Sequence, residues 1–399
     1  MKKIAVLVLC LCAVQLSKAQ EDGNRVITTG VPFLLISADA RSASMGDQGV
    51  ATAPDAFSQQ YNPAKYAFAS DKFGGAISYT PYLTDIVNDI SLAQLNFYNR
   101  FNERMAFAAS LRYFGLGEIE LRETYDEVPR IVKPNELALD VSYSLKLSDY
   151  FAMAVAGRYI RSNLRIPDEN NDAKPASSFA VDVAGYFQSE EIAFNEFNGK
   201  YKLGFNFQNL GPKISYASDD NDNNSNFLPA NMKLGGAFDF ILDDYNKVTL
   251  NAEVNKLLVP TPQEINYVDL DGDGEISDTE RAAARNKNIQ DYQSISWTSG
   301  IFESFGDAPD GFSEELKEFT WALGAEYMYQ ESFAFRLGYF NESAEKGARR
   351  FFSLGAGFKY NIVKVDVSYL FSASKVKNPL ENTLRFSLSF AFGDKYDDY

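Results

Sequence analysis

Apolar and polar residues alternate along most of this chain, and the alternation is clearest near its carboxyl end. Between residues 384 and 392 the apolar positions are Leu384, Phe386, Leu388, Phe390 and Phe392. The positions between them are Arg385, Ser387, Ser389 and Ala391. Successive side chains of a β-strand point to opposite faces, so this period of two predicts a strand with one apolar and one polar face.

Fourteen segments carry this pattern, and together they predict an all-β protein. They lie near residues 73–80, 90–99, 104–124, 135–147, 150–163, 177–188, 200–216, 230–241, 246–258, 319–330, 332–343, 350–360, 362–372 and 382–392. Charged residues on their polar faces include Asp140, Lys146, Lys364, Asp366 and Arg385. We expect these charges to line the interior of a closed sheet.

Three features favour a membrane-spanning barrel over a soluble β-sandwich, which also alternates. The number of segments is even, as in bacterial single-chain barrels. Many segments reach the roughly 9–11 residues that a tilted membrane strand needs, against about 5–6 in soluble sheets. Connections alternate in length as well. The long ones cover residues 125–134, 164–176, 217–229 and 259–318, and the short ones cover 100–103, 148–149, 242–245, 331 and 361, with 189–199 as a longer exception.

The prediction is therefore a 14-stranded antiparallel transmembrane β-barrel over residues 71–399, with the loop 259–318 outside the cell. Residues 20–70 precede the first strand and lack sustained alternation. Such a segment either plugs the lumen of the barrel or lies loose in the periplasm.

The first 19 residues resemble a secretory signal peptide. Lys2 and Lys3 form a basic start, residues 4–14 are mostly apolar, and small residues end at Ala19, so cleavage is expected before Gln20. A lipoprotein would use Cys10 or Cys12 instead, but each follows leucine, where a lipid-attachment motif needs a small residue.

Composition narrows the function classes. The only two cysteines lie in the predicted signal peptide and the chain has no histidine. Disulfides, thiolate catalysis and a histidine base are therefore excluded for the mature chain. The lack of histidine also argues against an outer-membrane hydrolase. Loss of Lys2, Lys3 and Lys18 changes the net charge from −16 to −19, and so acidic a chain is not expected to bind nucleic acid.

An acidic motif within the long loop fits a twelve-residue calcium-binding loop. It runs from residue 269 to residue 280. The expected oxygen ligands are Asp269, Asp271, Asp273, the Glu275 carbonyl, Ser277 directly or through water, and Glu280. Gly274 permits the sharp turn, and a helix is expected to begin near Arg281, whereas Pro260 and Pro262 argue against a helix before the motif. The alternative is a solvated acidic loop, as is expected for residues 219–224.

The same long loop is unusually apolar for an exposed segment. Its candidate partner-binding residues are Ile295, Trp297, Ile301, Phe302, Phe305 and Phe312. Exposed aromatic clusters mark interaction sites. The competing interpretation is that these side chains pack against each other or cap the mouth of the barrel.

Three short N-terminal motifs resemble a known family of outer-membrane barrels. They are Phe33-Leu34-Leu35-Ile36, Ala40-Arg41-Ser42-Ala43-Ser44-Met45-Gly46 and Gln60-Tyr61-Asn62-Pro63-Ala64. With the fourteen-strand pattern they resemble the PorV/PorQ family of the type IX secretion system, which is related to the FadL group of fatty-acid transporters. The resemblance covers nearly the whole chain after the signal peptide.

The resemblance implies a non-enzymatic role in protein secretion. Proteins of this family associate with the translocon barrel SprA, also called Sov. They receive substrates that carry a C-terminal signal domain and pass them to a cell-surface attachment complex containing the sortase-like PorU. The alternative is a FadL-like transporter of hydrophobic small molecules. A continuous apolar lumen pocket with an opening in the wall would favour transport, and an occluded lumen beside an apolar outer loop would favour the secretion role.

Overall fold

Fourteen antiparallel strands form one closed sheet in the computed structural model, which describes residues 25–83, 87, 89–122, 126, 128–164, 174–216, 225–373 and 381–395. The predicted signal peptide and the acidic segment 219–224 lie outside these residues. The strands are β1 Asp71–Pro81, β2 Ile90–Arg100, β3 Met105–Leu116, β4 Asn135–Lys146, β5 Phe151–Asn163, β6 Ala176–Gln188, β7 Asn198–Leu210, β8 Asn231–Ile241, β9 Asn246–Leu257, β10 Phe319–Tyr329, β11 Phe333–Asn341, β12 Arg350–Tyr360, β13 Val363–Ser372 and β14 Leu384–Lys395.

Each strand pairs with its neighbours in sequence, and β1 also pairs with β14. Each of the described barrel strands therefore has a paired neighbour on both sides, and the ring closes. This confirms the predicted fourteen-stranded antiparallel barrel. The short turns and the start of β1 lie at one end, here called the short-turn end, and the long connections lie at the other, the long-loop end.

Two of the predicted strands were too long. The segment 104–124 ends as a barrel strand at Leu116, and a separate hairpin follows, Ile119–Leu121 with Arg130–Val132. Gly117 breaks the ladder because its φ of +80° lies in the left-handed region. The segment 200–216 likewise leaves the barrel after Leu210, beyond Asn209 with φ of 59°, and Ile214–Ser215 pairs with Ser225–Asn226. A two-residue strand, Ile192–Ala193, extends the turn before β7.

The alternation places apolar side chains outside the ring and polar side chains inside it. In β4 the outward residues Leu139 and Val141 are 45% and 54% exposed, whereas the inward Asp140 and Ser142 are buried. This is the reverse of a soluble protein, and it is the arrangement expected where lipid surrounds the sheet.

Helices lie only before β1 and between β9 and β10 in the part of the chain that is described. They are α1 Ala40–Ala43, α2 Ser58–Tyr61, α3 Asp278–Ser294, α4 Trp297–Glu303 and α5 Phe312–Glu315, with 3-10 turns at Pro32–Leu35, Pro63–Phe68 and Leu316–Glu318. None of the described helices combines the length and apolar character that a membrane crossing requires.

The N-terminal segment, residues 25–70, runs along the inside of the barrel. Its backbone hydrogen-bonds with inward side chains from strands around the ring. Examples are the Ser144 hydroxyl donating to the Pro63 carbonyl at 2.7 Å, the Ala40 amide donating to Ser387 at 2.8 Å, the Gly46 amide donating to Ser353 at 3.0 Å and the Val50 amide donating to Glu253 at 2.9 Å. These partners lie on β4, β14, β12 and β9, so the segment occupies the lumen.

The segment crosses the lumen from one end to the other. Phe33 packs with Leu92 and Phe114, which lie at the long-loop ends of β2 and β3. Phe68 packs with Ala152 and Tyr186, which lie at the short-turn ends of β5 and β6. The chain therefore descends from the long-loop end to the short-turn end before β1 begins.

The charges expected inside the barrel do lie there, and oppositely charged side chains pair. Asp140, Asp366 and Arg385 are buried, and Lys364 pairs with Asp366 at 3.3 Å. The ammonium of Lys146 lies 4.6 Å from the centre of the Phe68 ring.

Arg158 is the centre of one such pairing. Its guanidinium bonds the carboxylate of Asp140 and lies 2.9 Å from that of Asp182, and both carboxylates are fully buried. Arg161, three residues further along β5, is exposed on the outside.

We predict that Arg158→Met destabilises the barrel by about 3–5 kcal/mol, because it leaves two buried carboxylates without their cation. Arg161→Met is the matched control and should have little effect. Urea unfolding of the two variants in lipid vesicles measures the difference. Equal midpoints for the two variants would show that the luminal pairs add nothing to stability.

Candidate functional site

The candidate site is the large loop, residues 258–318, which joins β9 to β10 at the long-loop end. α3 begins at Asp278, where Ser277 and Glu280 form a reciprocal cap. The Ser277 hydroxyl accepts from the Glu280 amide at 3.3 Å, and the Glu280 carboxylate accepts from the Ser277 amide at 2.9 Å. The helix therefore begins three residues earlier than predicted.

The acidic motif forms a tight turn just before this helix. Carboxylate oxygens of Asp269, Asp271 and Asp273 lie within 4.8 Å of one another. Asp269 accepts from the amides of Gly272 at 2.6 Å and Gly274 at 2.8 Å. Both glycines have positive φ, 75° and 88°, which is the conformation that the turn needs.

Backbone amides hold the first and last carboxylates of the motif ionised. The amide of Gly274 lowers the pKa of Asp269 below its ordinary value, and the amide of Leu270 does the same for Glu280. The Leu270 amide donates to Glu280 at 2.5 Å, so this carboxylate turns back toward the acidic turn. Together with the Glu275 carbonyl and Ser277, the site offers only oxygen ligands, which suit a hard cation such as calcium.

The apolar residues of the large loop divide into two groups. Ile295, Trp297 and Ile301 are half-buried. Four others are exposed and are here called the apolar loop surface: Phe302 at 79%, Phe305 at 47%, Phe312 at 75% and Leu316 at 54%. Leu316 was missed from sequence, although it follows Phe312 by four residues, the spacing that places two side chains on one helical face.

The helix that precedes this surface, α3, is tied to the rest of the molecule. The Tyr292 hydroxyl at the end of α3 donates to the Pro260 carbonyl at 3.0 Å. Lys213, on the connection that follows β7, donates to the Gln293 carbonyl at 2.8 Å. The loop is therefore held against the barrel mouth at its start and along α3.

A buried ion cluster joins the base of the large loop to the barrel. The Lys256 ammonium, at the end of β9, lies 2.7 Å from Glu315 and 2.6 Å from Glu318. The Lys346 ammonium, on the connection after β11, lies 2.7 Å from Glu314 and 2.9 Å from Glu318. Charge pattern alone did not reveal this cluster, because its lysines are separated from the three glutamates by long stretches of sequence.

Arg25 extends this cluster from the N-terminal segment. It bonds Glu314 through two nitrogens at 3.0 and 3.1 Å, Glu264 at 2.7 Å, and Asp310. Burial raises the pKa of Glu314, but hydrogen bonds from Arg25 and Lys346 outweigh it and lower that pKa to about 2.

Two small cavities lie between the N-terminal segment and the wall of the barrel. A cavity of ≈ 160 Å³ lies near the long-loop end between the N-terminal segment and the wall. Ile36, Tyr82 and Phe351 form part of its apolar side, and charged residues such as Arg349 and Glu342, which pair at 2.8 Å, form the other. A second cavity of ≈ 200 Å³ lies near the short-turn end. Ligand pockets are typically about 300–1,000 Å³.

A closed antiparallel barrel with an apolar outside and a polar, filled lumen defines a β-barrel of the outer-membrane type. The particular family follows from its sequence. Residues 18–264 match the family model described as Type IX secretion system protein PorV, and the chain belongs to that family. The family is one of secretion-system components rather than of enzymes.

Other comparisons are more distant. No curated protein matches the chain. Solved structures that resemble it include the CymD monoaromatic hydrocarbon channel, at 12% identity and TM-score 0.49, covering 90% of this chain and 98% of that one. The Ralstonia pickettii toluene transporter TbuX has 11% identity and TM-score 0.48, over 90% and 100%. A Pseudomonas aeruginosa FadL homologue has 12% identity and TM-score 0.45, over 93% and 100%. These similarities are too low to assign a ligand.

The pKa of Glu314 predicts how the base of the loop responds to acid. Because the folded pKa is lowered from 4.5 to about 2, the stabilisation is complete above pH 4.5 and is lost as the pH falls toward 2. The chain has two tryptophans, so in a Trp321→Phe variant the emission of Trp297 reports on the loop. We expect that emission to change mainly between pH 4.5 and 2.

Glu314→Gln in the same background is the control for this titration. It lacks the titrating carboxylate, so the acid-induced change should be smaller. Superimposable curves for the two proteins would contradict the assignment.

Proposed function

We propose that this chain is an outer-membrane component of type IX secretion that binds a SprA/Sov-like translocon barrel. It receives secreted proteins with C-terminal signal domains and passes them to a PorU-like attachment complex. The observation that carries the proposal is the contrast between a filled lumen and an exposed apolar surface on the large loop. In this role the chain is not an enzyme, lies in outer-membrane lipid and has no nucleic-acid partner.

The lumen argues against passage of a substrate through the barrel. The N-terminal segment bonds with inward residues on several strands and acts as a plug. The remaining cavity near the long-loop end, ≈ 160 Å³, is far below the size of a folded or extended protein substrate. A protein partner therefore has to be engaged on the outside of the barrel.

The large loop offers that outside surface. Phe302 and Phe312 expose 79% and 75% of their surface on a loop outside the barrel strands, and such exposed apolar side chains are candidates for contact with a partner. Long loops of such barrels face the cell exterior, where both the translocon exit and the attachment complex are expected.

A transporter of hydrophobic small molecules is the second candidate, because the cavity near the long-loop end has one apolar side. Such a route needs an opening in the wall of the barrel. Neighbouring strands are paired over at least seven residue pairs all around the ring, the shortest registers being β6–β7 and β13–β14. The register shifts once within β6–β7, between Phe207 and Leu210, and beyond this point Ser178 on β6 donates to the Pro212 carbonyl at 3.0 Å. A wall paired and bridged in this way favours the secretion role.

We predict that Phe302→Ser with Phe312→Ser impairs secretion of substrates with C-terminal signals. Deletion of the whole protein should leave those substrates inside the cell or unattached. Central aromatic anchors typically contribute about 2 kcal/mol or more each, so each loss weakens a complex about thirtyfold. Secreted and surface-attached substrates are measured by immunoblotting of culture medium and intact cells.

Val128→Ser is the matched control, because Val128 is 85% exposed on a different long connection. It should secrete normally, and all variants should assemble as heat-modifiable barrels. Normal secretion in the deletion strain together with failed uptake of hydrophobic small molecules would favour the transporter instead.

We also propose that the acidic turn binds one calcium ion and thereby orders the large loop. The ligands are Asp269, Asp271 and Asp273, the Glu275 carbonyl, Ser277 and Glu280. The convergence of the three aspartates within 4.8 Å supports this assignment. Binding in extracellular modules is typically about 10⁻⁴–10⁻³ M.

Calorimetric titration of the purified protein with calcium tests the site. Asp269→Asn with Glu280→Gln should abolish the binding heat, since the glutamine still permits the helix cap while the charge is lost. Asp278→Asn, at a position of the motif that supplies no ligand, should bind as wild type does. Equal heats from all three proteins would refute the calcium site.

A further inference from the structure

We propose that Arg25 is a latch that fastens the N-terminal segment to the large loop, so that Arg25 and its neighbours lie at the outer surface of the barrel. The latch goes beyond the proposed function, because the contacts of Arg25 do not depend on which partner the large loop binds.

The path of the segment supports the first part of this proposal. The Gly30 amide donates at 2.9 Å to the carbonyl of Phe227, a residue on the long connection between β7 and β8. Val31 and Phe33 pack in the same core as Ile214. Residues 25–33 therefore lie among the long connections, at the end of the barrel opposite to the start of β1.

The surroundings of Arg25 support the second part. Its guanidinium is enclosed by carboxylates from two stretches of the large loop, Glu264 on one side and Asp310 with Glu314 on the other. The Arg25 side chain is only 14% exposed and that of Glu314 only 3%. The planar, forked guanidinium suits such a two-point contact with a carboxylate, which a lysine cannot reproduce.

The latch shares Glu314 with Lys346, but the other anchors of the loop do not involve Arg25. Lys256 binds Glu315 and Glu318, and Lys346 binds Glu318, all without a contact from Arg25. Loss of Arg25 should therefore loosen the stretch around Asp310 and leave the end of the loop at Glu318 in place.

The position of the N-terminal end is tested by labelling single cysteines on intact cells. The chain has no cysteine after Cys12. Once the predicted signal peptide has been cleaved, each variant therefore carries only the introduced thiol. Val26, next to the latch, is 42% exposed. Val26→Cys should react with a membrane-impermeant maleimide on intact cells.

Two variants calibrate this experiment. Val128→Cys lies on a long connection and should be labelled on intact cells, whereas Glu103→Cys lies in the short turn between β2 and β3 and should be labelled only after the cells are broken. If Val26→Cys behaves like Glu103→Cys, Arg25 and its neighbours do not lie at the outer surface and the proposal fails.

The latch is tested by hydrogen–deuterium exchange of the purified barrel. In Arg25→Gln, amides of residues 307–314 should exchange about tenfold faster, a ratio that corresponds to about 1.4 kcal/mol. Arg25→Lys keeps the positive charge but loses the forked guanidinium. Its amides at residues 307–314 should therefore be only partly protected from exchange.

Arg122→Gln is the control, because Arg122 forms an exposed ion pair with Glu120 on another connection. It should leave residues 307–314 unchanged, and no variant should alter exchange in β9 or β10. Exchange at residues 307–314 that is the same in Arg25→Gln as in wild type would overturn the latch, whatever the secretion assays show.

Discussion

Closure of the sheet is the constraint on which the rest of this structure depends. A ring of strands satisfies its backbone groups internally, and this is what permits an apolar outer face. The same alternation, however, sends every second side chain inward, and many of these are charged or amide side chains. An unpaired buried polar group costs free energy, so the lumen has to supply partners for them.

The N-terminal segment provides many of these partners through its backbone. Arg112 donates to the Leu34 carbonyl at 2.8 Å, and Gln208 donates to the Gln60 carbonyl at 2.6 Å. The contact is so close that side chains would block it at some points. At Gly338, a β-carbon would lie 2.2 Å from the Gly46 amide nitrogen, so glycine is needed there for the segment to pass. The N-terminal segment is thus packed as part of the barrel interior.

The sequence was sufficient for the barrel but not for the contacts that fill it. Period-two alternation gave the fourteen strands because it depends only on neighbouring residues. Two predicted strands were too long, because alternation can continue beyond the point where the hydrogen-bonded ladder ends. These points are Gly117 and Asn209, where one residue adopts a positive φ. The acidic motif could be recognised because its candidate ligands lie within twelve successive residues, 269–280.

Contacts between distant residues could not be predicted in this way. The cluster that joins Arg25, Lys256 and Lys346 to Glu314 and Glu318 depends on the closed ring, which brings the N-terminal segment, the end of β9, the large loop and the connection after β11 to one mouth. Each of these residues alone resembles an ordinary surface charge. The luminal path of residues 25–70 was likewise one of two open alternatives, because that stretch has no periodicity from which to read its position.

The same cluster makes the lumen and the large loop one mechanical unit. Glu314 receives hydrogen bonds from Arg25 on the N-terminal segment and from Lys346 on the connection after β11. The segment cannot leave the lumen without breaking the first of these contacts, and the loop cannot lift without breaking both. A partner that approaches from outside therefore meets an apolar loop surface supported from below by a filled barrel. Such a support limits the conformational entropy that the loop would lose on binding, which favours recognition by a preformed surface over folding upon contact.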